Sequence, residues 1–272
     1  MALYRGIAVS IAGSDSGGGA GIQADLKTCA ALKVFGMTVI TALTAQNSRE
    51  VSAVWNVPAG MISAQVDALW SDFPVGAAKT GMLGAADTIR AVASGIRRWK
   101  VDKLVVDPVM IAQSGAALID DDAVAVLREE LLPLALIVTP NIPEAERLSG
   151  IAIESIEDME RAAAEIAKSG PKSVLVKGGH RMQPDTVTDV FFREGEVSRF
   201  TDGRIFTENT HGTGCTLSAA IAAELSAGIP LPEAVRRGRQ YLRMGLKAGF
   251  RPGAGWGPLG HAVTPPWVEE KA

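Results

Sequence analysis

Short apolar runs ending in polar or glycine-containing turns recur along most of the chain, and they alternate with longer segments whose apolar residues repeat at helical spacing. Residues 6–12 predict a first buried strand, ended by Gly13-Ser14-Asp15-Ser16. Gly17-Gly18-Gly19-Ala20-Gly21 then opens a helix through Ile22, Leu26, Ala30 and Leu32 that ends near Gly36. A second strand spans 37–45 and stops at Gln46-Asn47-Ser48, whereas 51–57 alternates and reads as an edge strand or flap. Further strands are predicted over 75–79, 103–106, 134–138 and 173–177, and a hairpin over 187–192 and 196–200 turns at Glu194-Gly195. Helices are predicted over 61–70 behind Pro58, over 88–99, and over 121–131 after a loop with Ser114-Gly115. Three more follow: one capped by Ser155 and Asp158, the apolar run 216–228, and a last helix over 232–247.

This alternation predicts an α/β fold, a mainly parallel sheet with helices on both faces and a small edge flap. No repeat or linker interrupts it, so a single domain over residues 1–272 is expected. In such sheets the ligand lies at the carboxyl ends of the strands. Gly13-Ser14-Asp15, Gln46-Asn47, Thr80-Gly81-Met82, Asp107-Pro108, Thr139-Pro140-Asn141 and Lys177-Gly178-Gly179 all fall at that edge.

Composition narrows the function. A formal charge of −3 with scattered basic residues offers no footprint for nucleic acid. Two distant cysteines, Cys29 and Cys215, fit a reducing compartment and a cytoplasmic protein. His180, His211 and His261 lack the spacing of a zinc site, and no apolar run is long enough to span a bilayer.

The stretch from Asn209 to Cys215 carries the chemistry. Gly212, Thr213 and Gly214 have little bulk and lead into an apolar helix, whose first turn presents unpaired N–H groups and partial positive charge. It is read as the holder of a phosphoryl group in transfer, with Cys215 beside it; the competing reading is a glycine-containing loop entering a core helix. Gly19-Ala20-Gly21-Ile22-Gln23-Ala24 fits the dinucleotide fingerprint, but no acidic residue ends the second strand to hold a ribose. P-loop and nucleophile-elbow motifs are absent from the sequence.

Several segments together resemble one family. They are 12–16 with 18–27, Thr41 to Asn47, Lys79 to Leu83, Val106 to Met110, Thr139 to Ala145, Lys177 to His180, and Thr210 to Cys215. The chain is similar over nearly its whole length to the bacterial hydroxymethylpyrimidine and phosphomethylpyrimidine kinases of thiamine biosynthesis, in the ribokinase-like superfamily.

The resemblance implies ATP-dependent phosphorylation of 4-amino-5-hydroxymethyl-2-methylpyrimidine, then of its monophosphate to the diphosphate. Gly13, Asp25, Gln46, Met82 and Val109 would meet the pyrimidine. Asp107, Asn141, Glu144 and Lys177 would face ATP, with Asp107 and Glu144 toward Mg²⁺, largely through water. Gly212, Thr213, Gly214 and Cys215, with Lys177, would form the catalytic group. A thiol at a helix start can have a lowered pKa, so Cys215 is also a candidate to take the alcohol's proton. Turn capping by Asp107 and Asn141, a solvated helix position for Asp25, core packing for Met82 and Val109, and an exposed strand-end lysine for Lys177 are the competing explanations. Family likeness further implies a homodimer, with the flap or hairpin as a lid or dimer contact. Two alternatives stay open: a pyridoxal kinase of the same family and a non-catalytic pyrimidine sensor.

Overall fold

The computed structural model describes residues 3–111, 119, 121–179 and 185–269. The Ser114-Gly115 loop, His180 of the Lys177-to-His180 segment and the last three residues lie outside the described residues. Nine strands join one sheet: β1 (Ile7–Asp15), β2 (Phe35–Gln46), β3 (Val51–Asn56), β4 (Ala77–Thr80), β5 (Leu104–Val106), β6 (Ile137–Val138), β7 (Ser173–Val176), β8 (Thr186–Arg193) and β9 (Glu196–Gly203). Their order is β3-β2-β1-β4-β5-β6-β7-β8-β9. Strands β2, β1, β4, β5, β6 and β7 run parallel, while β3 on one edge and the β8–β9 hairpin on the other are antiparallel.

The continuous apolar runs follow from burial on both faces. Leu104 and Val106 of β5 point into a core with Ile89 and Val92, while Val105 between them meets Leu217 and Ile221. On the first face lie α2 (Ala59–Trp70), α3 (Ala86–Arg98), α4 (Asp121–Val126), α5 (Ile142–Ser149) and α6 (Ile156–Ala167). The second face carries α1 (Gly21–Ala31), α7 (Thr213–Ser226) and α8 (Leu231–Lys247), with the short α9 (Pro266–Glu269) ending the described chain.

Three elements depart from expectation. The helix predicted over 121–131 keeps α-geometry only to Val126; it widens over Leu127–Leu131 and tightens to a 3-10 turn over Leu132–Leu134. Pro133 cannot continue an α-helical ladder, so β6 begins only at Ile137. Helix α5 was not anticipated: Asn141 is its N-cap, closed by a reciprocal capping box with Glu144. Helix α7 begins at Thr213 rather than 216, so Gly214 and Cys215 belong to its first turn.

Candidate active site

A cleft of about 600 Å³ opens along the carboxyl ends of the parallel strands. Sheet order ranks its lining. Gln46 ends β2, Gly13 to Asp15 end β1, and Met82 follows β4. Asp107 and Val109 follow β5, Asn141 follows β6, Lys177 follows β7, and Arg204 follows β9. One end is thus an amide and apolar side chains, and the other is cationic, with Arg147, Arg204 and Arg243 on its wall.

Between these ends stands the start of α7. Gly212 is its N-cap at φ +86, and a Cβ there would lie 1.9 Å from the Gly19 carbonyl oxygen, so the turn requires glycine. No side chain caps this helix. Thr213, Gly214 and Cys215 occupy the positions whose N–H groups have no partner inside an α-helix, and all three line the cleft. The loop carrying Asp15 and this turn are joined by His211, whose Nε2 lies 2.9 Å from Asp15 Oδ2.

Beside Gly214 is an ion pair between the buried Asp107 and the partly buried Lys177. Lys177 Nζ donates to Asp107 Oδ1 at 2.9 Å, and Thr139 Oγ1 approaches the same oxygen at 3.4 Å. Desolvation would lower the Lys177 pKa, but Asp107 and Glu144 outweigh it and hold the ammonium protonated. Asn141 and Glu144 close the α5 cap, with Asn141 Oδ1 accepting from the Glu144 N–H at 2.9 Å and Glu144 Oε2 from the Asn141 N–H at 2.8 Å. Both still line the cleft, so the cap and the site share them. Desolvation, with Asp107 adding, raises Glu144 to about 7 against the opposing pull of Lys177.

Two carboxylates that repel one another at the cleft floor suit a hard divalent cation, since Mg²⁺ keeps most of its waters and takes one or two carboxylates beside phosphate oxygens. Among the described residues no group of three or more His, Cys, Asp or Glu gathers into an all-protein cage.

At the amide-bearing end, Gly13 sits where the β1–β2 register shifts, and a Cβ there would lie 3.1 Å from Met82 Cε. Gly13, Gln46, Met82 and Val109 all reach the cleft as expected. Asp25 does not. It is 1% exposed beneath the cleft floor, accepts from Ser10 Oγ at 2.5 Å and pairs with the equally buried Lys79 at 2.9 Å. Asp25 lies on the buried side of α1 and is not part of the cleft lining.

Cys215 also departs from the helix-start argument. Desolvation pushes its thiol up to about 12, and the Asp25 and Asp107 carboxylates add to this while Lys79 opposes it. Local burial and negative charge outweigh the helix terminus, so the sulfur is a thiol at neutral pH.

Sequence reasoning also missed the Asp15–His211 contact. Desolvation opposes ionisation of Asp15, but hydrogen bonds from His211 and from the N–H groups of Ala20 and Gly17 hold its pKa below the ordinary value. Nothing local in the sequence signals that pairing. The strand-end position of Asp15 was the available hint.

Comparison with known proteins follows the same lines. Residues 15–260 match the model of the phosphomethylpyrimidine kinase family. The hydroxymethylpyrimidine/phosphomethylpyrimidine kinase of Rhizobium meliloti is 55% identical over 258 residues, covering 94% of this chain and 96% of that protein. A thiamine biosynthesis bifunctional protein of Geobacter sulfurreducens is 48% identical over 267 residues, and there the match covers 98% of this chain but only 54% of the longer relative. The ADP complex of Bacillus subtilis pyridoxal kinase superposes with a TM-score of 0.88 at 35% identity, covering 96% of this chain and 98% of that one. The sheet described above is thus the ribokinase-like fold, and the chain belongs to the phosphomethylpyrimidine kinase family.

Proposed function

We propose that this chain, as one domain, transfers the γ-phosphoryl group of ATP to the hydroxymethyl group of 4-amino-5-hydroxymethyl-2-methylpyrimidine, and then phosphorylates the monophosphate to the diphosphate in thiamine biosynthesis. The observation that carries this reading is the order of groups along the cleft. An uncapped helix start against the Lys177–Asp107 pair lies between an amide-bearing apolar end and a cationic end.

Gly13, Gln46, Met82 and Val109 hold the pyrimidine. The Gln46 amide has donors and an acceptor for an aminopyrimidine edge. Lys177, with Arg204 and Arg243 nearby on the cleft wall, neutralises nucleotide phosphates. The N–H groups of Gly214 and Cys215 face the place where charge develops on the transferring group, while that of Thr213 donates to the Thr210 carbonyl at 3.3 Å. Phosphoryl transfer depends on this positioning and charge stabilisation more than on covalent chemistry. Asp107 and Glu144 hold Mg²⁺, which when bound supplies positive charge to the phosphate oxygens. Asn141 fixes Glu144 by capping α5. Cys215 contacts the alcohol as a thiol.

The exposed Leu43, Val54 and Trp55 on β2 and the edge strand β3 support a homodimer formed at the flap. No helix among the described residues is long and apolar enough to cross a membrane, and with two free cysteines the proposed compartment is the cytoplasm. The similarity to a pyridoxal kinase structure favours one second reading, phosphorylation of pyridoxal in the same cleft.

Incubation with ATP, Mg²⁺ and the free pyrimidine alcohol tests the proposal. Monophosphate should appear first and diphosphate afterwards, with matching ADP release. Turnover of pyridoxal with none of the pyrimidine would reject the proposal in favour of the second reading.

A further inference from the structure

Strand β7 leaves its ladder with β8 at the Val176–Val190 pair, so the turn that presents Lys177 begins where backbone pairing ends. Two other bonds hold that turn. The Lys177 N–H donates to the Pro140 carbonyl at 2.8 Å, and the Gly178 N–H donates to Asp189 Oδ1 at 2.8 Å. The acceptor for Gly178 is thus a side chain of β8 and not a ladder carbonyl. The two segments still run close, since a Cβ at Gly178 would lie 1.8 Å from the Thr188 carbonyl oxygen.

The other oxygen of Asp189 is held from α8. Arg239 Nε donates to Asp189 Oδ2 at 2.7 Å, while its Nη2 donates to Asp202 Oδ2 at 2.8 Å and to the Phe200 carbonyl at 3.2 Å, both on β9. The guanidinium carbon stands 4.9 Å from the centre of the Phe200 ring. Asp189 and Arg239 are each 8% exposed, and both line the cleft with Lys177. With Nε and Nη2 committed to β8 and β9, protein partners fix the plane of the guanidinium and, through it, the Asp189 carboxylate.

We infer that Asp189 and Arg239 are positioning residues for phosphoryl transfer: Arg239 orients the Asp189 carboxylate, which pins the Gly178 N–H and with it the turn that presents Lys177. That Lys177 meets nucleotide phosphates rests on the function proposed above, but the chain of contacts from α8 to Gly178 does not. A carboxylate is required at 189 because two donors converge on it. An amide there has one acceptor oxygen, so its NH₂ would oppose either the Gly178 N–H or Arg239 Nε.

Two measurements test this separately. Amide hydrogen exchange of the free protein reads the turn itself. Arg239→Met keeps an apolar chain beside Phe200 and leaves position 178 untouched. It should speed exchange at the Gly178 amide about tenfold, with the Leu175 amide inside β7 changed less than about twofold. No change at Gly178, or an equal gain at both amides, would overturn the inference whatever the substrate. In kinetics, Arg239→Met and Asp189→Asn should each raise KM for ATP and lower kcat about tenfold, with KM for the pyrimidine alcohol changed less than about threefold. Because Arg239 acts through Asp189, the double variant should be no worse than Asp189→Asn alone. Equal rises in both KM values, or losses that multiply in the double variant, would overturn the inference. Asp189→Asn hardly alters volume and supplies both readouts should Arg239→Met not fold. Wild-type enzyme that turns over no pyrimidine alcohol would reject the proposed function instead, and the exchange result would still decide whether the pair holds the turn.

Discussion

Gly214 is in contact with both members of the ion pair: a Cβ added there would lie 3.1 Å from Asp107 Oδ2 and 3.4 Å from Lys177 Nζ. The first turn of α7 therefore packs closely on the Asp107–Lys177 pair at position 214. Gly214→Ala would crowd Asp107 Oδ2, which would have to give by a few tenths of an ångström, and narrow the space beside the helix N–H groups. We expect kcat to fall about 100-fold, comparable to losing one charge-stabilising donor, with thermal stability little changed. Steady-state kinetics together with a melting curve check this. A variant with normal turnover would separate the glycine from the transfer step.

Cys215 bears on the proton. With the thiol pushed up to about 12 by its desolvated surroundings, the thiolate is a negligible species at pH 7 to 9. A thiolate base would make log kcat climb with unit slope through that range; we expect no such climb attributable to Cys215. Cys215→Ser, which keeps a small hydrogen-bonding group, should retain kcat to within about tenfold. A pH–rate profile of both proteins is the measurement, and a unit slope present in the wild type but lost in Cys215→Ser would restore the thiolate.

Much of the fold was legible because burial on both faces of a parallel sheet leaves unmistakable apolar runs such as Leu104 to Val106. The turns after those runs also line the cleft, so the positions of Gln46, Asp107 and Lys177 on it could be read from their place at strand ends. Helix α5 was missed because Pro140 and Pro143 flank Asn141 and read as breakers, although Asn141 with Glu144 three residues later is itself a start signal. Asp25 was misplaced because its partner Lys79 is 54 residues away. The Asp15–His211 contact joins residues 196 apart, and only the finished fold brings them together. Helix-start reasoning failed at Cys215 because desolvation and carboxylates from other segments, invisible locally, exceed the effect of the helix terminus.

Glu224 ties both ends of the chain to α7. It is fully buried, and Arg5 reaches both of its oxygens at 3.0 Å, Arg237 one at 3.1 Å and Trp267 Nε1 one at 3.0 Å. Desolvation would raise its pKa, but these partners outweigh it and lower it, so the carboxylate is charged at neutral pH. Glu224→Gln leaves Arg5 without its counterion, while Arg237 keeps Glu233 at 2.8 Å, and should cost about 3 kcal/mol. Arg237→Met, which leaves Arg5 and Trp267 in place, should cost less. Urea unfolding of the two variants gives the comparison, and equal losses would contradict the central place of Glu224.

His261 supplies a stability change with pH. It lies 7% exposed under the first turn of α7, with Nε2 2.9 Å from Thr216 Oγ1, and Thr216 in turn donates to the Gly212 carbonyl at 2.8 Å. Desolvation, with Lys27 adding, lowers its pKa from 6.5 to about 4. Between those values the unfolded chain binds a proton that the folded protein refuses, so stability must fall as pH falls through this window and level off below it. The full shift corresponds to about 3 kcal/mol. His261→Gln keeps a polar group beside Thr216 and has no proton to gain, so its unfolding free energy should lose correspondingly less on acidification over the same range. Urea denaturation of both proteins at the two ends of the window measures the difference, and parallel losses would show that the proton responsible binds elsewhere.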